Sequence, residues 1–327
     1  MDVSHDSVSP RELALGPART STYTREEFEG VFERVKNWGK WGEDDVRGTL
    51  NYITPERVVA AARLIRNGWS VSLALPVNKV AGPDNPRPAL HFMRQLHAGG
   101  GGTSFAADFL GVDIHGESQS HIDALCHAGY DGLLYNGHAV DEVTAAGGGG
   151  LDVAKYASRG VVGRGVLLDV AGFRGVPWLE PGEAVGSKEL EAIEKASGVR
   201  VGEGDILVFR TGHDRRRRAL GPWDSSADGV GKAGLDLDAV VWMHRRHVAA
   251  FLPDGDGEVM PCPVQGVRAP VHALQIAAMG MAAADSLDLE PLADECHKEG
   301  RYEFFVVVAP VRLGGGTGSL VNPIAIL

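Results

Sequence analysis

DIHGESQSHIDALCHAGY, residues 113–130, sets three histidines and two carboxylates within the 13 positions from His115 to His127. Its centre is His121-x-Asp123-x-x-x-His127. If residues 119–123 are extended, His121 and Asp123 project to one side, two residues apart. A turn or helix start then brings His127 back beside them. Imidazole with carboxylate is a ligand set for Zn²⁺, Mn²⁺ or Fe²⁺, and three such groups leave a position open for water. For any single histidine, a polar loop residue with satisfied hydrogen bonds is the plainer explanation. The grouping of all of them, between glycine runs at 99–102 and 147–150, points instead to a metal or to catalysis.

On the N-terminal side, residues 1–22 are polar and aperiodic and read as a flexible arm. REEFEGVFERVKNW (25–38) places Phe28, Val31, Phe32 and Val35 at helical spacing, with acids early and bases late. Thr54-Pro55 opens a second helix ending at Gly68, and residues 69–76 alternate like a strand. On the C-terminal side, GVLLDVAG (165–172), GDILVFRTG (204–212) and YEFFVVVAPVRL (302–313) have the short, β-branched character of buried strands. Helical patterns fall between them at 187–198, 235–251 and 271–280. This order predicts an α/β protein with a mixed central sheet, an N-terminal arm with helices over 1–75, and one continuous globular unit over 76–327.

Composition narrows the function. The chain has 327 residues with 32 basic and 43 acidic side chains, a net charge of −11, which disfavours nucleic acid and anionic membranes as partners. Arg215 to Arg218 form the one basic cluster and read as a solvated loop. No apolar run approaches the roughly 18 residues of a membrane span. The start lacks the basic end and apolar run of an export signal, and three widely spaced cysteines offer no disulfide framework, so a reducing cytoplasm is expected. Glycine is abundant, 44 residues, and its runs suggest mobile loops around the His/Asp segment.

His121-Ile-Asp-Ala-Leu-Cys-His127, followed by Tyr130-Asp-Gly and Tyr135-Asn-Gly, resembles the signature of the cyclase family that includes bacterial kynurenine formamidases (arylformamidases) and isatin hydrolases. Trp41-Gly-Glu-Asp-Asp45 with Gly48-Thr-Leu-Asn51, the strand ending Arg210-Thr-Gly212, and Gly315-Gly-Thr-Gly-Ser319 with Asn322-Pro323 resemble its other motifs in order. The resemblance spans about residues 38–327. It implies a swivelling β/β/α fold, a divalent metal (Zn²⁺ or Mn²⁺), hydrolysis of amide or cyclic amide bonds, and a homo-oligomer. The family motif runs His-x-x-x-His-x-Asp-x-x-x-His, and the last three positions map to His121, Asp123 and His127. Glu117 stands at the first, with His115 two residues earlier as an alternative ligand. The distal ligands implied are His272 and Asp285, the latter where glutamate is usual.

On this reading the chain hydrolyses a small amide, lactam or formamide, with metal-activated water and His127 as general acid/base. A cyclase or dehydratase of secondary metabolism would use the same groups, and a metal-poor relative binding a small ligand is a third reading. Trp41, His91, Phe92, Tyr130 and Trp178 are candidates for a substrate pocket. Cys126 reads as buried packing. His244 and His247 read as a charged surface or subunit contact. Asp254, Asp256 and Glu258 read as a solvated acidic loop, and Gly315–Ser319 as a loop lining the site.

Overall fold

The computed structural model describes residues 22–225 and 230–327, so the flexible arm expected over 1–22 lies, apart from Thr22, outside the described residues. The strands are β1 (Ser70–Ser72), β2 (Leu90–Ala98), β3 (Phe105–Gly111), β4 (His121–Asp123), β5 (Val161–Asp169), β6 (Ala184–Val185), β7 (Ile206–Arg210), β8 (Gly234–Leu235), β9 (Ala250–Pro253), β10 (Ala282–Asp285), β11 (Glu303–Val308), β12 (Gly318–Leu320) and β13 (Ile324–Ile326). The α-helices are α1 (Arg25–Val35), α2 (Pro55–Ala62), α3 (Ala154–Ala157), α4 (Val170–Arg174), α5 (Ser187–Ser197), α6 (His213–Leu220), α7 (Leu237–Arg246), α8 (Pro270–His272) and α9 (Glu290–Glu299).

Nine strands form the main sheet in the order β1-β13-β11-β5-β7-β9-β10-β4-β12. Its centre, β5-β7-β9-β10, is parallel, and helices carry each crossover. Antiparallel strands flank the centre on both sides. The expected α/β class with a mixed central sheet is therefore the observed one. Successive residues of β5 and β7 go to opposite layers. Val166, Leu168, Leu207 and Phe209 pack beneath α1, α5 and α7, whereas Leu167, Ile206 and Val208 pack with Phe304, Leu292 and Cys296 on the other face. Burial on both faces explains why these strands read as continuous apolar runs.

The first two helices begin at Arg25 and Pro55, where the sequence places them, each behind a threonine cap. The Thr24 hydroxyl accepts from Glu27 N at 3.2 Å while Glu27 accepts from Thr24 N at 2.8 Å, and Thr54 caps α2 ahead of Pro55. The second helix stops at Ala62, earlier than Gly68, and the expected strand over 69–76 shortens to β1, paired with β13 in the main sheet.

Other expectations need correction. Residues 271–280 are not one α-helix: α8 runs directly into a π-helix over Ala273–Ala278. The 235–251 pattern contains α7, a left-handed His247 at φ 55°, and the start of β9. Arg215–Arg218 lie in α6, not a loop, and each is ion-paired, to Glu290, Glu180, Asp84, and both Asp214 and Asp288 respectively. The Gly99–Gly102 run closes an exposed two-stranded ribbon, β2–β3, that sequence periodicity did not reveal.

Candidate metal centre

Strand β4 supplies the first two groups. Its two-residue period puts His121 and Asp123 on one side while Ile122 enters the core. Antiparallel pairing sets Asp285 of β10 opposite His121, and Gly318 of β12 opposite Asp123. A turn in which His127 N donates to Ala124 O at 2.9 Å returns His127 to the cluster. Helix α8 delivers His272.

Asp123, which is 1% exposed, is the hub. Its Oδ1 lies 2.9 Å from His115 Nδ1 and 3.5 Å from His121 Nε2; its Oδ2 lies 3.8 Å from both His127 Nε2 and His272 Nε2. His272 Nε2 is also 3.4 Å from Asp285 Oδ2. Two groups thus have donor atoms close enough to share one ion: His115, His121 and Asp123, and Asp123, His272 and Asp285. The His115 and His127 rings stack with centroids 3.7 Å apart.

The outer nitrogens are equally informative. His121 Nδ1 donates to Gln119 O at 2.7 Å, His115 Nε2 lies 2.9 Å from Thr317 Oγ1, and His272 Nδ1 donates to Glu258 Oε1 at 2.9 Å. Each bond orients a ring and turns its other nitrogen toward Asp123, the outer-shell arrangement that supports metal-ligating histidines. Both Asp123 oxygens, Asp285 Oδ1 and His115 Nδ1 are buried yet make no hydrogen bond. Buried polar atoms without partners are costly. Their convergence fits a divalent cation.

Electrostatics agrees. Burial opposes the Asp123 charge, but His115, His127 and His121 together hold its carboxyl below the usual range. Burial also opposes a charge on His272, which Asp285 and Glu258 nonetheless raise well above the ordinary imidazole value. Burial pushes His127 down to about 4, so its ring is neutral near pH 7. No outer hydrogen-bond acceptor fixes the His127 ring among the described residues.

The remaining candidates fall elsewhere. The Glu117 carboxylate lines the cavity beside the cluster but turns to Ser225 and to Lys232 Nζ at 3.2 Å. Trp41 packs edge-on against Tyr52, His91 pairs with Asp108 at 2.8 Å, and Phe92 stacks on Phe109 in the exposed ribbon. Tyr130 packs on Phe28 and Phe32 and donates to Glu29. Neither these four nor Trp178 lines the cavity over the cluster.

The acidic 254–258 segment is not solvated. Asp254 is buried and accepts from Thr211, Gly212 and His213 backbone groups, Asp256 holds Lys232 at 2.5 Å, and Glu258 holds His272. Glu258 and Thr317 are the supporting residues whose contacts sequence did not disclose; their signal was position in glycine-spaced segments. Cys126 is buried with its thiol pushed up to about 11 by burial, in keeping with a packing role. The Gly147–Gly148 run packs against Gly315, so it serves close approach: a Cβ on Gly148 would lie 2.4 Å from Cys126 Sγ.

The sequence profile of the family described as "Putative cyclase" matches residues 88–256. A solved structure described as that of a novel cyclase is 34% identical, with a TM-score of 0.78 over 90% of this chain and 99% of that one. Isatin hydrolase A from Ralstonia solanacearum is 21% identical, with a TM-score of 0.56 over 84% of this chain and 97% of its own. Isatin hydrolase A from Labrenzia aggregata, bound to benzyl benzoate, is 18% identical with a TM-score of 0.55 over 83% and 97%. At those identities the two hydrolases share the fold with this chain. No curated protein matches it by sequence.

Proposed function

The chain belongs to the cyclase family, and from that footing we propose that it is a metal-dependent hydrolase of a small amide, formamide or cyclic amide. One observation carries the reading. Three imidazoles, each fixed through its outer nitrogen, converge on a buried carboxylate whose oxygens make no hydrogen bond. His115, His121, Asp123, His272 and Asp285 would hold the cation, and their nitrogen and oxygen donors suit Zn²⁺ or Mn²⁺. When bound, such an ion supplies a Lewis acid for a carbonyl and acidifies water for attack on it. Burial disfavours a charge on His127, which faces Asp123 and has no outer acceptor among the described residues, so its Nε2 is suited to accept a proton from water and return it to a leaving nitrogen. Glu258 and Thr317 keep the ring orientations.

The experiment is removal of metal with a chelator, then restoration of Zn²⁺ or Mn²⁺ singly, with isatin and an aryl formamide as substrates. Activity should vanish and return with metal, His127→Ala should lose about 100-fold or more in kcat, isatin should give one ring-opened product heavier by one water, and the aryl formamide should give an arylamine and formate. Equal turnover without metal overturns the reading.

We also place the chain in a reducing compartment such as the cytoplasm, as its three free cysteines favour, acting on a small molecule as a homo-oligomer. No helix among the described residues is long and apolar enough to cross a membrane. The β2–β3 ribbon supports self-association. Leu90, Phe92, Leu96 and Phe105 are each more than half exposed there, a larger apolar surface than an isolated chain usually leaves in water.

A further inference from the structure

The cavity over the His/Asp cluster, about 370 Å³, adjoins a second chamber of similar volume. His115, Gly116, Glu117, Asp256, Arg268 and Ala269 line both. Most charges on these walls are already answered. Asp113 pairs with Arg87, Asp84 with Arg217, Glu117 and Asp256 with Lys232, and Glu258 with His272. Arg268 differs. It is exposed, lines both chambers, and makes no ion pair or hydrogen bond among the described residues.

The backbone beside it is strained. Ala269 is left-handed at φ 51°, ψ 61°, directly before Pro270. A residue preceding proline favours an extended backbone, and a left-handed alanine costs roughly 1–2 kcal/mol. Glu258 holds this conformation in place by accepting from Val271 N at 3.2 Å and His272 N at 2.8 Å. The kink brings Arg268 and His272, four positions apart, to the walls of one cavity. Strain retained in this way marks positions fixed for function.

We propose that Arg268 is the specificity-determining residue of this site, and that the substrate is a small amide carrying a free carboxylate. The planar guanidinium offers paired donors that match a carboxylate. A doubly charged phosphate would face Asp113, Glu117 and Asp256 on the same walls, whereas a singly charged carboxylate needs one guanidinium. The carboxylate would rest at Arg268 while the scissile carbonyl lies over the cluster. The substrate class rests on the hydrolase reading; the anion site does not.

The test uses the metal-loaded full chain and two pairs of probes. Turnover is compared for 2-formamidobenzoate and its methyl ester, and binding by calorimetry for 2-acetamidobenzoate and its methyl ester. The wild type should favour each acid by about tenfold or more, through KM and Kd. Arg268→Gln should abolish that preference, and Arg268→Lys should retain part of it, with melting temperatures unchanged because the side chain is exposed. Loss of acid and ester alike in Arg268→Gln, no preference in the wild type, or no binding of the acid overturns the proposal. If neither formamide nor isatin is turned over, the hydrolase reading fails, and calorimetry alone still decides the anion site.

Discussion

Gly318 shows how little room the centre leaves. A Cβ there would lie 2.7 Å from His115 Cε1 and 2.8 Å from Ile122 O, so the strand that pairs with Asp123 must carry no side chain at this point. Gly318→Ala is expected to displace His115 and weaken divalent-cation affinity by about tenfold or more, read by competition with a chelator. Glu258 acts at one remove, since it positions His272 and touches no other ring. Glu258→Gln keeps the size and loses the charge, and should weaken cation affinity by about 10- to 100-fold with a normal circular dichroism spectrum. Cation affinity equal to wild type would show that the carboxylate serves the loop alone.

At the scale of elements, β7 ends in a buried charge. Arg210 is 3% exposed and bonds Asp169 at 2.6 Å and both oxygens of Glu290 at 2.8 Å, tying β5, β7 and α9 together. Arg210→Met strands two carboxylates and should cost about 3–5 kcal/mol in denaturant unfolding. On α7, burial and then Lys40 push His244 down to about 4, and its ring lies 3.2 Å from Asn37 Oδ1. The unfolded chain takes up a proton near the ordinary value of about 6.5 that the folded chain refuses. Stability from this group is therefore full above that value and lost as pH falls toward 4. His244→Gln should flatten that slope, by at most about 2 kcal/mol for a part-exposed ring, in unfolding curves at pH 7 and pH 4.5. Such pairings explain what could be read from the sequence. The helical period from Arg25, the helix start at Thr54 and the strands 165–169 and 206–210 were legible because caps and apolar runs are local signals. The 254–258 acids were misread because their partners, Thr211, Lys232 and His272, are distant in sequence. His121, Asp123 and His127 declared themselves by spacing, while Glu117 did not reveal that Lys232 would claim it. Strand β2 carried no burial pattern, since most of it faces solvent.

For the whole molecule, the proposed self-association would run through the β2–β3 ribbon. Leu96→Lys with Phe105→Lys places charges at positions 72% and 63% exposed, so the fold should persist while the sedimenting species drops to a monomer. Unchanged assembly would show that copies meet elsewhere. The main sheet has a second consequence. Strand β4 is three residues long and relies on β10 and β12, the outermost part of the sheet, and the candidate ligands are drawn from β4 and the loop before it, β10 and α8. An ion gripped there would act as a cross-link between segments more than a hundred residues apart in sequence, so occupancy and folding become one equilibrium. At a free concentration about 100 times Kd this linkage amounts to about 2.7 kcal/mol. A chelator would then behave as a mild denaturant, and amide hydrogens of residues 121–123 and 282–285 should exchange faster in its presence while those of β5 and β7 keep their protection.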